Sequence, residues 1–109
     1  MEGFIVVFVT VGSREEGQRL ARVLVDERLA ACVSRIGGVR SIYRWQGQVE
    51  ENDEELLVIK TRQRLFDNLR KKVQELHSYT EPEIIALPIL DGSVSYLKWL
   101  EEQLRSEEK

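Results

Sequence analysis

One cysteine, one histidine, one methionine and two prolines are spread over 109 residues. The lone Cys32 excludes an intrachain disulfide and any metal motif that takes two cysteines from one chain. A reducing compartment is its simplest setting. The apolar stretch Phe4–Val9 is too short to span a bilayer. No basic segment precedes it and no small-residue cleavage site follows it, so a buried strand in a cytoplasmic protein is expected, without membrane association. Basic residues are the minority, 16 against 19 acids, with a net charge of −3 and a pI near 5.3. Nucleic-acid binding by phosphate neutralisation is therefore not expected. No nucleophile–base pair is evident, which argues against an enzyme.

What is present suits a packed core. Hydrophobic residues make up 42% and charged residues 32%, and the length fits one domain over residues 1–109. The β-branched and aromatic run from residue 4 to 11 predicts a central strand covered on at least one face. Ser13-Arg14-Glu15-Glu16 has capping-box form. The helix after it carries Gly17, Leu20, Ala21, Leu24 and Arg28 on one stripe and is expected to end near Leu29. Ala31–Ile36 predicts a second strand. Gly37-Gly38 marks a bulge, and the strand resumes from Val39 to Trp45. A turn at Gln46-Gly47-Gln48 leads through an acidic stretch, read as a solvated strand entry, to a third strand at Leu56–Thr61.

A second helix is predicted from Arg64 to Leu76, with Leu65, Phe66, Leu69, Val73 and Leu76 inward. Ile84–Ile89 is the fourth strand, and Pro88 assigns it to a sheet edge because proline donates nothing to a ladder. A third helix carries Leu97, Leu100 and Leu104. The order is βαββαβ with a C-terminal helix, an α/β (α+β) ferredoxin-like fold with an antiparallel sheet. Both crossover helices lie on one face, strands one and three are central, and the second and third strands form a long hairpin. Unpaired edges and a hairpin tip bearing Ile42, Tyr43 and Trp45 invite association with other chains.

Among side chains with chemistry, His77 shares a loop with Tyr79, Glu81 and Glu83, an arrangement suited to a divalent cation. Glu50–Glu55 lacks the spaced ligands of a calcium loop. Cys32, between apolar neighbours, reads as a small hydrophobe. Lys60, Arg62 and Arg64 form a basic group at the end of the third strand.

Several blocks together resemble the CutA divalent-cation tolerance family: Ala30-Ala31-Cys32-Val33, Ser41-Ile42-Tyr43-Arg44-Trp45-Gln46-Gly47, Lys60-Thr61, the segment from His77 to Ile89, and Tyr96-Leu97-Lys98-Trp99-Leu100. The resemblance implies a ferredoxin-like subunit, a cytoplasmic homotrimer and a non-catalytic role in tolerance of divalent metals such as Cu2+, with no obligatory cofactor. Of the copper ligands described in that family, only His77 is matched here; the first-strand cysteine falls at or near Val9 and the first histidine of a pair falls on Leu76. The implied metal site is His77 with Glu83 and Glu81 at subunit boundaries. Ile42, Tyr43, Trp45 and Pro88 are the expected trimer-interface residues. The rival reading is a regulatory trimer like the nitrogen-regulatory PII proteins, sensing a small anionic ligand or a partner protein, with Cys32, Lys60 and Tyr79 as cleft candidates. A metallochaperone lacks its Cys-x-x-Cys loop here, and an RNA-recognition domain lacks its aromatics on strand three.

Overall fold

The computed structural model describes residues 3–106; Met1, Glu2 and residues 107–109 lie outside the described residues. Strands β1 (Phe4–Val11), β2 (Cys32–Trp45), β3 (Gln48–Arg62) and β4 (Ile84–Pro88) form one antiparallel sheet in the order β2-β3-β1-β4. As expected, β1 and β3 are central and β2 and β4 are edges. Helices α1 (Arg14–Asp26) and α2 (Phe66–Leu76) are the crossovers, and α3 (Val94–Gln103) closes the described chain.

The core lies between the sheet and the two crossover helices. Alternate residues of β1 (Ile5, Val7, Val9, Val11) point at Leu20 and Leu24 of α1 and at Leu69 and Val73 of α2, with Leu57 and Ile59 from β3. Helix α3 does not reach the hairpin tip. Its Leu97 and Leu100, with Leu104 just beyond it, pack on Phe4, Ala31 and Leu65 at the opposite end of the sheet.

Three boundaries differ from the sequence reading. Helix α1 ends at Asp26, because Arg28 turns left-handed (φ 58°) and sends Leu29 into the core. Helix α2 proper begins at Phe66, after a 3-10 turn at Gln63–Leu65. The acidic stretch is not an entry to β3 but part of it, since residues 50–54 pair with β2 throughout. Of its carboxylates, Glu51 and Asp53 bond Arg40 of β2 at 2.9 and 2.7 Å, and Glu54 is held by hydroxyl groups.

The glycine pair does form a bulge: the β2–β3 register shifts between Ile36 and Val39. Its effect follows from the two-residue period of a strand. Before the bulge, Cys32, Ser34 and Ile36 share a face with Lys60, Val58 and Leu56; after it, Val39, Ser41, Tyr43 and Trp45 share that same face with Glu54, Asn52, Glu50 and Gln48. The hairpin closes on Gln46 and Gly47, both at positive φ (52° and 82°), as a tight primed turn requires.

Helix α3 covers only the Phe4–Arg62 end of this second face, and no described helix covers the rest. It carries Val6 and Phe8 of β1, Leu56 and Val58 of β3, Ile36 of β2, and Ile85 and Leu87 of β4. Ile85 and Leu87 are 51% and 46% exposed. Beyond Glu55 the β2–β3 hairpin has no third strand beside it. This ribbon stretches the molecule to 44 Å along one axis and its radius of gyration to 14.5 Å, against about 13 Å for a compact chain of this length.

Candidate functional site

Ser13 caps α1, its Oγ accepting the Glu16 N–H at 3.1 Å. The Glu16 carboxylate does not turn back to complete the capping box. It crosses to the loop after α2 and accepts from the Ser78 N–H (2.8 Å) and the Ser78 hydroxyl (2.9 Å). Burial opposes this charge, but the Ser78 bonds and nearby His77 outweigh it and hold the carboxyl below its ordinary value.

His77 is fully buried at its side chain. Its Nδ1 accepts the Tyr79 N–H at 3.0 Å, which leaves the proton on Nε2, and Nε2 donates to the Thr10 carbonyl at 2.7 Å. Both ring nitrogens are thus engaged, and a metal reaching His77 has to displace one of these bonds. The Tyr79 ring leans on the imidazole with centroids 4.7 Å apart, and its hydroxyl donates to Glu54 Oε2 at 2.8 Å. Burial, then the Glu54 hydrogen bond and charge, push the Tyr79 phenol far above its usual range, so it stays a neutral donor. Glu54 Oε1 accepts from the Ser41 hydroxyl at 2.6 Å. Loop 77–83 is in this way tied to α1, β1 and β3.

Between this loop and the hairpin lies a cavity of about 680 Å³, walled by Tyr43, Trp45 and Tyr79 and bearing Glu54, Glu81 and Glu83. Every charged residue that lines it is an acid. Burial and the Glu54 charge raise the Glu83 carboxyl above its ordinary value, the mark of an uncompensated acid.

The structure therefore gathers Glu81, Glu83, Tyr79, Tyr43, Trp45 and Ile42 around one cavity, with His77 behind its wall. Among the described residues no group of three or more His, Cys, Asp and Glu side chains is placed to hold a metal within one chain. Cys32 and Lys60 pair across β2 and β3, with Sγ 3.9 Å from Nζ. They lie six residues along β3 from Glu54, about 20 Å away, so within one chain they share no cavity with Tyr79. Pro88 pairs with Ile5, at the end of the sheet away from the hairpin tip. Sequence reasoning missed Glu16 and Glu54. Ser13-x-x-Glu16 is legible as a capping box, but nothing local shows that the carboxylate serves Ser78, 62 residues away.

The sequence profile of the CutA1 divalent ion tolerance proteins matches residues 5–103. The chain is 53% identical over 97 residues to the divalent-cation tolerance protein CutA of Thermus thermophilus, covering 89% of this chain and 94% of that one. It is 51% identical to the chloroplastic CutA protein of Arabidopsis thaliana over 94% of this chain, yet spans only 56% of that protein's length. Among solved structures, CutA1 from Oryza sativa superposes with a TM-score of 0.92 at 48% identity, covering 94% of each chain. The periplasmic divalent cation tolerance protein CutA of Archaeoglobus fulgidus superposes at 0.91 with 35% identity, covering 94% of this chain and 99% of that one.

Proposed function

Because the chain belongs to the CutA1 divalent ion tolerance family, we propose that it works as a cytoplasmic, non-catalytic homotrimer that binds divalent cations such as Cu2+ at Glu81 and Glu83. The observation that carries the assembly is the open sheet face. Val6, Phe8, Leu56 and Val58 are only half-buried in the single chain, beside the exposed Ile36, Ile85 and Leu87. Contiguous apolar surface of this kind marks an interface, and a two-stranded ribbon like the hairpin end is at best marginal without a partner. In a cyclic trimer, unlike patches meet. The hairpin tip with Ile42, Tyr43 and Trp45 lies at one end of the sheet and Pro88 at the other, and the tip of one subunit meets the β4 edge of the next.

The cation site rests on unmet charge. Glu81 and Glu83 have no hydrogen-bond or ion-pair partner among the described residues, and Glu83 sits against the charge of Glu54. A divalent cation relieves that repulsion, and carboxylates from neighbouring copies complete its ligand set. His77 acts here as the buried anchor of the loop that carries both carboxylates. Acids as the cavity's only charged groups speak against the alternative of a trimer sensing an anionic ligand there. Calorimetric titration with Cu2+ and Zn2+ tests the site. Saturable binding that weakens at least tenfold in Glu83→Gln is expected; equal titrations of Glu83→Gln and the unaltered protein would remove the carboxylate from the site.

A further inference from the structure

The chain has four aspartates. Asp26, Asp53 and Asp67 lie in α1, β3 and α2, and each is paired with an arginine: Arg22, Arg40 and Arg70 in turn. Asp91 differs on each count. It stands exposed in the link between β4 and α3, with Gly92 after it, and has no ion-pair partner among the described residues. Its Oδ1 accepts the N–H of Gly92 at 3.0 Å. The Ile89 N–H donates to the Phe4 carbonyl and the Ser93 carbonyl accepts from Leu97, but between them the described main chain makes no backbone–backbone hydrogen bond. The link is pinned at its ends and free in its middle, as an Asp-Gly pair outside regular structure suits. No backbone strain requires glycine at 92. Its φ is not positive, and a Cβ added to it meets Leu97 at 3.4 Å, an ordinary contact. The missing side chain leaves the Gly92 nitrogen open to the Asp91 carboxyl, which the hydrogen bond already holds beside it.

We propose that Asp91 is a site of spontaneous isomerisation to isoaspartate. The Gly92 nitrogen attacks Cγ of the neutral Asp91 carboxyl. A Cγ–N bond forms, and the carboxyl hydroxyl leaves with the amide proton as water, closing a succinimide ring. Water then opens the ring. Attack at Cγ restores aspartate; attack at the main-chain carbonyl carbon of Asp91 leaves the chain running through Cβ and Cγ. Nothing is oxidised or reduced, and the mass is unchanged. Water is the sole co-reactant, so the reaction needs no surface open to a large partner and proceeds in the assembled protein. The product puts an extra atom into the main chain beside Leu97, the side chain that helps seat α3 against Phe4.

Peptide mapping of the full protein, kept warm but folded at mildly acid pH, tests the site. Tryptic cleavage after Lys72 and Lys98 gives a peptide of residues 73–98 with Asp91 as its sole aspartate. It is expected to split with time into two peaks of equal mass. The new peak is expected to resist a protease that cuts before aspartate and to accept a methyl group from isoaspartyl methyltransferase. Peptides carrying Asp26, Asp53 and Asp67 are expected to stay single. Gly92→Ala keeps the carboxyl but crowds the nitrogen, and is expected to slow the change about tenfold, roughly 1.4 kcal/mol of barrier. Asp91→Glu keeps the charge but has to close a larger ring, and is expected to abolish the change. The isomerised protein is expected to melt at a lower temperature than the fresh one. A 73–98 peptide that stays single, or one that splits as fast in Gly92→Ala as in the unaltered chain, would overturn the inference.

Discussion

The carboxylate of Glu55 occupies the space where a side chain on Gly17 would begin: a Cβ at Gly17 falls 1.9 Å from Glu55 Oε1 and 3.2 Å from Val11 Cγ2. Glu55 is nearly buried there, in a two-pronged pair with Arg35 at 2.8 and 3.2 Å. A glycine in mid-helix costs about 1 kcal/mol relative to alanine. Here it lets α1 lie directly over an ion pair. Gly17→Ala is therefore expected to destabilise the protein by about 1–3 kcal/mol despite its better helix propensity, through displacement of a buried, paired carboxylate. Urea denaturation of the single variant and of Gly17→Ala in a Glu55→Ala background separates the causes. In the second background most of the cost disappears; a cost of the same size in both would place it elsewhere.

Glu16 gives the fold an acid sensitivity of definite sign. Its folded carboxyl lies below the ordinary 4.5, so the unfolded chain takes up this proton first as pH falls. The stabilisation is complete above pH 4.5 and drains away as pH drops through the lowered folded value. Glu83 acts in the opposite sense. Its raised carboxyl penalises the folded state at neutral pH, and that penalty fades as pH falls through the raised value. Thermal melts across pH 3–7 are expected to show Glu16→Gln losing stability at pH 7 and flattening the acid limb, while Glu83→Gln gains stability at pH 7. The reverse order at pH 7 would contradict both assignments.

His77 is placed to hold structure. Its alanine variant removes two hydrogen bonds from a buried site and is expected to cost about 2–4 kcal/mol. Its Zn2+ and Cu2+ affinities are expected to fall less than those of Glu83→Gln. A His77→Ala protein that keeps its stability but no longer titrates with metal would make His77 a ligand instead.

Much of the fold is legible in the sequence, for physical reasons that differ between elements. Pro88 fixes an edge because it lacks an N–H, and the 3.6-residue spacing of Leu69 and Val73 fixes the inner face of α2. The acidic run from Glu50 to Glu55 hides a strand, because its pairing partner is a neighbouring strand and not a buried face. The bulge at Gly37-Gly38 is readable, but its consequence is not: only the paired register shows that it turns Tyr43 and Trp45 onto the face of Phe8 and Val58. The site is less legible than the fold. Glu81 and Glu83 stand out locally, whereas Glu16 and Glu54 gain their roles from partners 62 and 25 residues distant.

The open face also predicts the effect of a single charge. Val58 lies at its centre, paired with Phe8 and Ser34. Val58→Asp is expected to yield separate subunits that retain helical circular dichroism, since the core on the other face of the sheet is untouched. An assembly of unchanged size would show that this face is not the contact.

Sedimentation equilibrium of the unaltered protein at low micromolar concentration tests most directly whether identical copies finish the subunit. The expected result is one species of about three times the 12.7 kDa chain mass, with no folded single chain on dilution. A stable, folded species of one chain mass, with Phe8, Val58 and Leu87 left in water, would contradict the account.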